Sequence, residues 1–222
     1  MQKRDAQEAA PIMQRSITVL LGAVPTSGRP GADFRTACDA LIANAESLIQ
    51  TDLAGPPLQA CFDLARSAGA TQAQLASVRS QALTEKPVTI GANMITGSII
   101  EMCLATEGRV IADMTFTSRQ DVDALKLQMN AIFAEVEEYL ADAMDQMSYR
   151  AAVQLHSAII QYLVQTARPM PRMLSFAFTQ SMPTLVMANR LYADASRADE
   201  LLAENKVVHP AFMLPSGQAL SN

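Results

Sequence analysis

The side chains that could serve as nucleophile, general base or soft metal ligand are few and widely spread. They are two histidines, His156 and His209, and three cysteines, Cys38, Cys61 and Cys103. A metal site needs several ligands converging at short, fixed spacing. No CxxC pair occurs, and no Cys, Asp, Glu or second His is spaced to share a metal with His156. His156 sits on an apolar helical face and reads as a core or interface histidine with one hydrogen bond. His156 and His209 fall in different expected domains, and no cysteine has an activating partner nearby in sequence. No glycine-rich phosphate loop is present. The expectation is a protein that is not an enzyme and has no cofactor and no metal. The odd cysteine count suggests neither a zinc site nor a full disulfide framework. Cys38 and Cys103 lie on apolar faces, as buried free thiols in a reducing compartment would, while one bridge within or between chains stays open.

What must hold these residues is a large, helix-rich core. The chain has 222 residues, half of them hydrophobic, with 5% aromatics, no Trp and 13 Met. A core of Ala, Leu, Ile, Val and Met favours helices, and Met packs adaptably. The net charge is −5 and Lys and Arg are scattered, so no basic patch offers itself to a nucleic-acid backbone. The apolar run Ile17–Val24 is too short to span a bilayer. Mixed charges and a proline precede it, unlike a signal peptide. Synthesis and folding in a cytoplasm follow as the expectation, with no membrane partner.

Helical spacing runs through most of the chain. Ala6, Ala9, Ala10, Met13, Ile17, Leu20 and Leu21 form one stripe, with Pro11 marking a start or a kink and Gly22 a stop. Residues 1–32 could be a first helix or an extended arm. Pro25–Gly31 reads as a loop, after which Asp33 would cap a helix carrying Phe34, Ala37, Cys38, Leu41, Ile42, Ala45, Leu48 and Ile49. Gly55–Pro57 starts the next, with proline in a first turn. A short helix from Thr71 to Leu83 buries Leu75, Val78 and Ala82. In Val88–Met114, Ile90, Met94, Gly97 and Ile99 suggest close packing on a neighbour, while Gly91 and Gly97 could also break the helix. Ser118 and Asp121 resemble a helix-start box. Val122, Leu125, Met129, Ile132, Val136, Leu140, Ala143 and Met147 then alternate steps of three and four, as a coiled-coil seam does. A second long helix would present Tyr149, Val153, His156, Ile160, Leu163 and Ala167. The two read as an antiparallel pair joined tightly near Met147. Prolines in Arg168–Met173 end this part, and the domains are expected at 1–168 and 169–222.

Beyond that boundary the period changes. Leu174, Phe176 and Phe178 alternate as in a strand. Pro183 precedes a short helix burying Leu185, Ala188 and Tyr192. Asp194–Ser196 caps a second short helix that ends at Asn205, a residue suited to the left-handed position. Val207 returns as an apolar anchor, Gly217 permits a turn, and Leu220 lies in a second strand. The expected fold is mainly α, a helical bundle with long antiparallel helices followed by a small α+β module of order βααβ.

This module resembles a LysM-type domain. Leu201–Val207 ("LLAENKV") is similar to the family's Leu-Leu-x-x-Asn-x-Ile segment, and Pro210–Leu220 to its closing Pro…Leu-x-Pro-Gly-Gln-x-Leu. The family's Gly-Asp before its threonine is replaced here by Met182-Pro183, and Ser216 is inserted between Pro215 and Gly217. Both changes fall where a glycan-binding LysM builds its groove. A longer stretch, Pro183–Phe212, resembles the C-terminal part of the DNA circularisation proteins of Mu-like contractile phages. Arg190, Leu191, Tyr192, Asp194, Ala195, Arg197, Ala198, Asp199, Glu200, Asn205, His209, Pro210 and Phe212 carry the match.

That resemblance implies a structural protein of the virion tail, in or next to the baseplate, assembled in the host cytoplasm. Its partners would be other tail and baseplate proteins (hub, tube, wedge), in multiple copies and without nucleic acid. The bundle would pack through Met- and Ala-rich faces on neighbouring subunits, and the module would act as a clip. Arg190, Arg197, His209 and Phe212 are the candidate partner contacts. Against this, Arg197 and Asp199 could cap the second short helix, and Phe212 reads more readily as filling the module's own core. The alternative function is a peptidoglycan- or glycan-binding module, which the Met182-Pro183 departure and the scarcity of aromatics count against.

Overall fold

The structure, a computed structural model, describes residues 2–143 and 146–221. Among them are seven helices in succession: α1 (Lys3–Ala23), α2 (Gly28–Gln50), α3 (Gly55–Ser67), α4 (Gln72–Thr84), α5 (Ile90–Asp113), α6 (Arg119–Asp142) and α7 (Gln146–Ala167). Then come β1 (Met173–Ala177), α8 (Thr184–Tyr192), α9 (Ala198–Glu204) and β2 (Ser216–Leu220). The mainly α bundle with a small βααβ module is therefore present. No described helix is long and apolar enough to cross a membrane. The residues group into two compact units, one of residues 1–114 and 129–160, the other of residues 115–128 and 161–222.

In the first unit α1 packs against α2, α4 and α5. Its stripe of Ala6, Ala9, Ala10, Met13, Ile17 and Leu20 is buried. Three alanines in its first half let neighbouring backbones come close. The helix continues through Pro11, which removes one backbone donor but not the packing face. Residues 3–23 are thus a core helix and not an arm. The loop expected at Pro25–Gly31 is shorter: α2 already begins at Gly28, and Asp33 lies inside it instead of capping it. Pro30 misleads the composition, because a first helical turn tolerates its missing N–H. Gly31 is required there, since a Cβ would run into the Thr26 backbone.

The start of α4 is fixed by Thr71, whose hydroxyl accepts from Gln74 N while the Gln74 side chain accepts from Thr71 N. The start of α5 is fixed from a distance. Glu8 of α1 accepts from the backbone N–H groups of Val88 (2.7 Å) and Thr89 (2.9 Å), which hold its carboxyl below its ordinary pKa. α5 runs unbroken through Gly91 and Gly97, both buried. Ile90 and Met94, expected against a neighbour, are exposed instead, and the buried face of these turns is Gly91, Ala92 and Thr96. Small residues face inward where α5 meets the alanines of α1.

The seam of α6 is buried at Val122, Leu125, Met129, Phe133, Val136 and Leu140. Phe133 takes the place expected for Ile132. On α7 the buried residues are Ala152, Ile159, Leu163 and Ala167, so the face is offset from the expected Tyr149, Val153 and Ile160. The tight join between α6 and α7 falls on residues 144–145, outside the described residues. The seams are covered within the chain, and Met147, expected to continue one, is exposed.

In the second unit β1 and β2 pair antiparallel, from Met173 opposite Leu220 to Ala177 opposite Ser216. Phe176, Met182, Met187, Ala188, Tyr192, Ala198, Leu201, Met213 and Ala219 form its core. Leu185, expected inside, is exposed, and Met187 fills that role. Ser118 and Asp121 cap α6 as a reciprocal pair. Its first turn grips the start of β1: Gln120 Oε1 accepts from Met173 N at 2.8 Å, and Arg119 N donates to Pro171 O at 2.9 Å. These bonds explain why residues 115–128 group with the module, so the units do not coincide residue for residue with 1–168 and 169–222. The left-handed position after α9 belongs to Lys206, not Asn205. Asn205 instead clamps β2, donating to Gln218 O and accepting from Gln218 N, each at 2.7 Å. Gly217 lies in β2 and makes no turn; a Cβ there would collide with the Asn205 amide and the Phe176 ring.

Candidate interaction surface

One end of the module is built by the loop 178–183, the first turn of α8 and the loop 206–215. Three contacts fix them together. Met182 and Met213 form an isolated antiparallel bridge. Ser181 Oγ donates to Met213 O at 2.7 Å. Thr184 donates both its backbone N–H (2.7 Å) and its hydroxyl (2.8 Å) to Pro210 O. Pro183 at the helix start leaves Thr184 as the first backbone donor available there, and Pro210 supplies the acceptor.

The surface of this braced end is apolar. Val208 is 99% exposed, Phe212 72%, Leu214 62%, Leu185 61% and Val186 41%. Phe212 therefore does not fill the module's core; Met213, next in the chain, does so. The His209 and Phe212 rings stand 5.3 Å apart, tilted by 44°. Ala211 N donates to His209 Nδ1 at 3.2 Å, and Phe212 N donates to His209 O at 3.1 Å. These bonds fold 209–212 into a tight turn that displays both rings. An exposed aromatic held on a braced turn loses little conformational entropy when a partner covers it.

The two candidate arginines differ. Arg190 is exposed on α8. Arg197 is committed within the module: its guanidinium lies 3.8 Å from the Tyr192 ring centroid and bonds Glu200 Oε1 at 2.6 Å. It also reaches the carbonyls of Leu220 and Ser221 at 3.5 Å. It occupies the N-cap position of α9 without a capping side-chain bond. His209 and Phe212 are brought together, and Arg197 is not part of that surface. Sequence reasoning missed Val208 and Leu214. The signal was there in the apolar residues that flank Pro210 and Pro215.

In the first unit His156 is more tightly held than expected. Nδ1 faces Glu137 Oε1 at 2.9 Å, Nε2 faces Asn130 Oδ1 at 2.8 Å, and the ring stacks on Phe133 at 4.5 Å. Arg79 of α4 and Glu107 of α5 form a buried ion pair. Arg79 Nε and Glu107 Oε2 are buried without a hydrogen-bond partner. Burial pushes the Glu107 carboxyl up to about 7, although Arg79 pulls it down. Cys103 lies nearby, and burial followed by the Glu107 charge raises its thiol well above the ordinary value. Such a thiol is a poor nucleophile. Among the described residues no three His, Cys, Asp or Glu side chains converge as metal ligands do.

Compared with known proteins, the chain matches no family model and no curated protein.

Proposed function

We propose that this chain is a structural component of a contractile phage tail, in or next to the baseplate, that works by protein–protein packing. The observation that carries the packing role is the apolar end of the βααβ module, where Phe212, Val208 and Leu214 stand in water on a loop braced by Thr184 and Pro210, with Leu185 exposed in the first turn of α8. Several large apolar side chains exposed on one end of a small module are a feature of interaction sites. The tail assignment rests on the sequence resemblance of Pro183–Phe212. The seams of the long helices are covered within the chain, so assembly would use the module end and the exposed Val88, Ile90, Met94 and Met147. Partners would be the hub, tube or wedge proteins of the tail.

The displayed His209–Phe212 pair also favours a second reading, a glycan-binding module, since an aromatic face stacks on sugar rings. Whole-particle mass spectrometry with an electron-microscopy map tests the first. The chain should be found in the tail, and Phe212→Glu should lower its incorporation by roughly tenfold or more, as loss of an interface anchor does. Absence of the chain from particles refutes the tail assignment. Retention on purified peptidoglycan, lost in Phe212→Ala, would favour the glycan reading.

A further inference from the structure

The first unit has an apolar patch of its own, apart from the covered helix seams. Val88, Ile90 and Met147 are each 80% exposed and Met94 55%. Ile90 and Met94 of α5, with Ala143 and Met147 from the α6–α7 side, line a groove of about 370 Å³. Two of its polar side chains bond their own helix: Asn93 Nδ2 donates to Thr89 O at 3.3 Å and Ser98 Oγ to Met94 O at 2.9 Å. Val88, two residues before Ile90, projects at the α5 end of the groove. One surface therefore carries both a knob and a cleft.

The two edges of this groove differ in charge. On the α6 edge Glu135, Glu138 and Asp142 are exposed at i, i+3 and i+7. They stand on the half of the helix whose macrodipole is also negative, and the last turn of α6 holds no basic residue. Arg150 of α7 offsets one of the three. On the α5 edge Lys86 is exposed just before Val88, and Lys3 and Arg4 are exposed in the first turn of α1. That turn is held here because Glu8, one turn further on, caps the start of α5. Asp5 offsets one of these bases. The α5 edge is thus net basic and the α6 edge net acidic.

We propose that this face binds a second copy of the chain about a two-fold axis through the groove. A two-fold sets each edge of one protomer against the opposite edge of its partner. Lys86 then faces the acidic stripe of Glu138 and Asp142 across the axis, twice over. Val88 and Ile90 of each protomer enter the other's groove, where Met94 and Met147 adjust to them. An edge pair of one sign would repel its own copy; edges of opposite sign attract it. The proposal rests on the packing half of the reading above and not on the tail assignment, and it names the partner of one of the two packing surfaces.

The test is sedimentation velocity on the full chain carrying Phe212→Glu, which silences the module end, loaded from roughly 1 to 200 µM. A reversible dimer is expected. Ile90→Glu, at an exposed position, should weaken it by roughly tenfold or more. Lys86→Glu sets like charges across the axis and should weaken it by roughly three- to tenfold. Adding Asp142→Lys to Lys86→Glu should restore it to within about twofold. A monomer over the whole range, a dimer indifferent to Ile90→Glu, or a second charge change that fails to restore the first would each overturn the proposal. Far-UV circular dichroism checks that every variant folds, and the charge exchange decides alone if Ile90→Glu does not. Absence of the chain from phage particles refutes the tail assignment without touching this dimer, so the two readings fail separately.

Discussion

The buried Arg79–Glu107 pair makes a prediction whose sign depends on which partner is removed. Both side chains are within 5% of full burial, and each keeps one polar atom without a hydrogen bond. Removing one member of such a pair leaves an uncompensated charge in the core, at a cost of about 3–5 kcal/mol. The two members answer differently to pH. Arg79→Met leaves a carboxyl, which can neutralise by taking a proton. Glu107→Leu leaves a guanidinium, which stays charged at every accessible pH. Glu107 already sits at about 7 in the folded chain against 4.5 unfolded. The folded state therefore binds its proton more tightly, and stability falls as pH rises from 4.5 to 7. The shift corresponds to about 3 kcal/mol across that window. Without Arg79, which lowers the value, the window extends upward. Arg79→Met should then lose about 3–5 kcal/mol at pH 8 and much less at pH 5, whereas Glu107→Leu, which removes the titrating carboxyl itself, should lose more at pH 5 than at pH 8, the difference approaching the ~3 kcal/mol of that window. The double substitution should recover most of the loss, because an apolar replacement of both charges is often neutral or better. Urea unfolding followed by far-UV circular dichroism suits a chain without Trp. The midpoint for each single variant should fall by roughly 1–2 M. Equal losses at pH 5 and pH 8 for Arg79→Met, or losses under about 1 kcal/mol for both singles, would refute the electrostatic account.

Three further outcomes are expected. Asn205→Ala removes both bonds to Gln218 and should destabilise the module by about 1–3 kcal/mol, with faster amide exchange through Ser216–Leu220 read by hydrogen-exchange mass spectrometry. Thr71→Ala breaks the reciprocal cap of α4 and should cost about 1 kcal/mol by chemical denaturation. Phe212→Glu, on an exposed turn, should shift stability by less than about 0.5 kcal/mol while lowering self-association or particle incorporation, as read by sedimentation velocity and particle mass spectrometry.

Much of the architecture was legible because it follows from one-dimensional rules. The α1 stripe of Ala6 to Leu20 and the α4 trio of Leu75, Val78 and Ala82 are buried as their spacing requires. The buried Phe176 and the returning Leu220 lie in β1 and β2 as expected, although Leu174, expected on the same face as Phe176, is exposed. What spacing could not decide was the phase of a helix with apolar residues on adjoining positions. Ile132 and Phe133, or Ile159 and Ile160, satisfy the same step pattern one residue apart, and only the neighbouring helix selects between them. Pairings between distant segments were equally hidden. Glu8 lies 80 positions from the backbone group it caps, and Arg79 lies 28 from Glu107. Each looks like an ordinary surface charge until the bundle brings its partner near. At the module end, the apolar residues of 208–214 were visible, but which of them point inward was not. Met213 went inward and Phe212 outward, because the Met182 bridge and the Pro210 carbonyl fix the turn.

The zipper of β1 on β2 has a practical corollary. Arg172 and Ser221 exchange hydrogen bonds, Ser221 N donating to Arg172 O at 2.7 Å and Arg172 N donating to Ser221 Oγ at 2.9 Å. The polypeptide thus leaves the module beside the point where it came in, while the Val208–Leu214 turn lies past the opposite ends of both strands. A fluorophore or affinity handle attached just after residue 221 would sit away from the display turn. It could report on docking there without standing in its path.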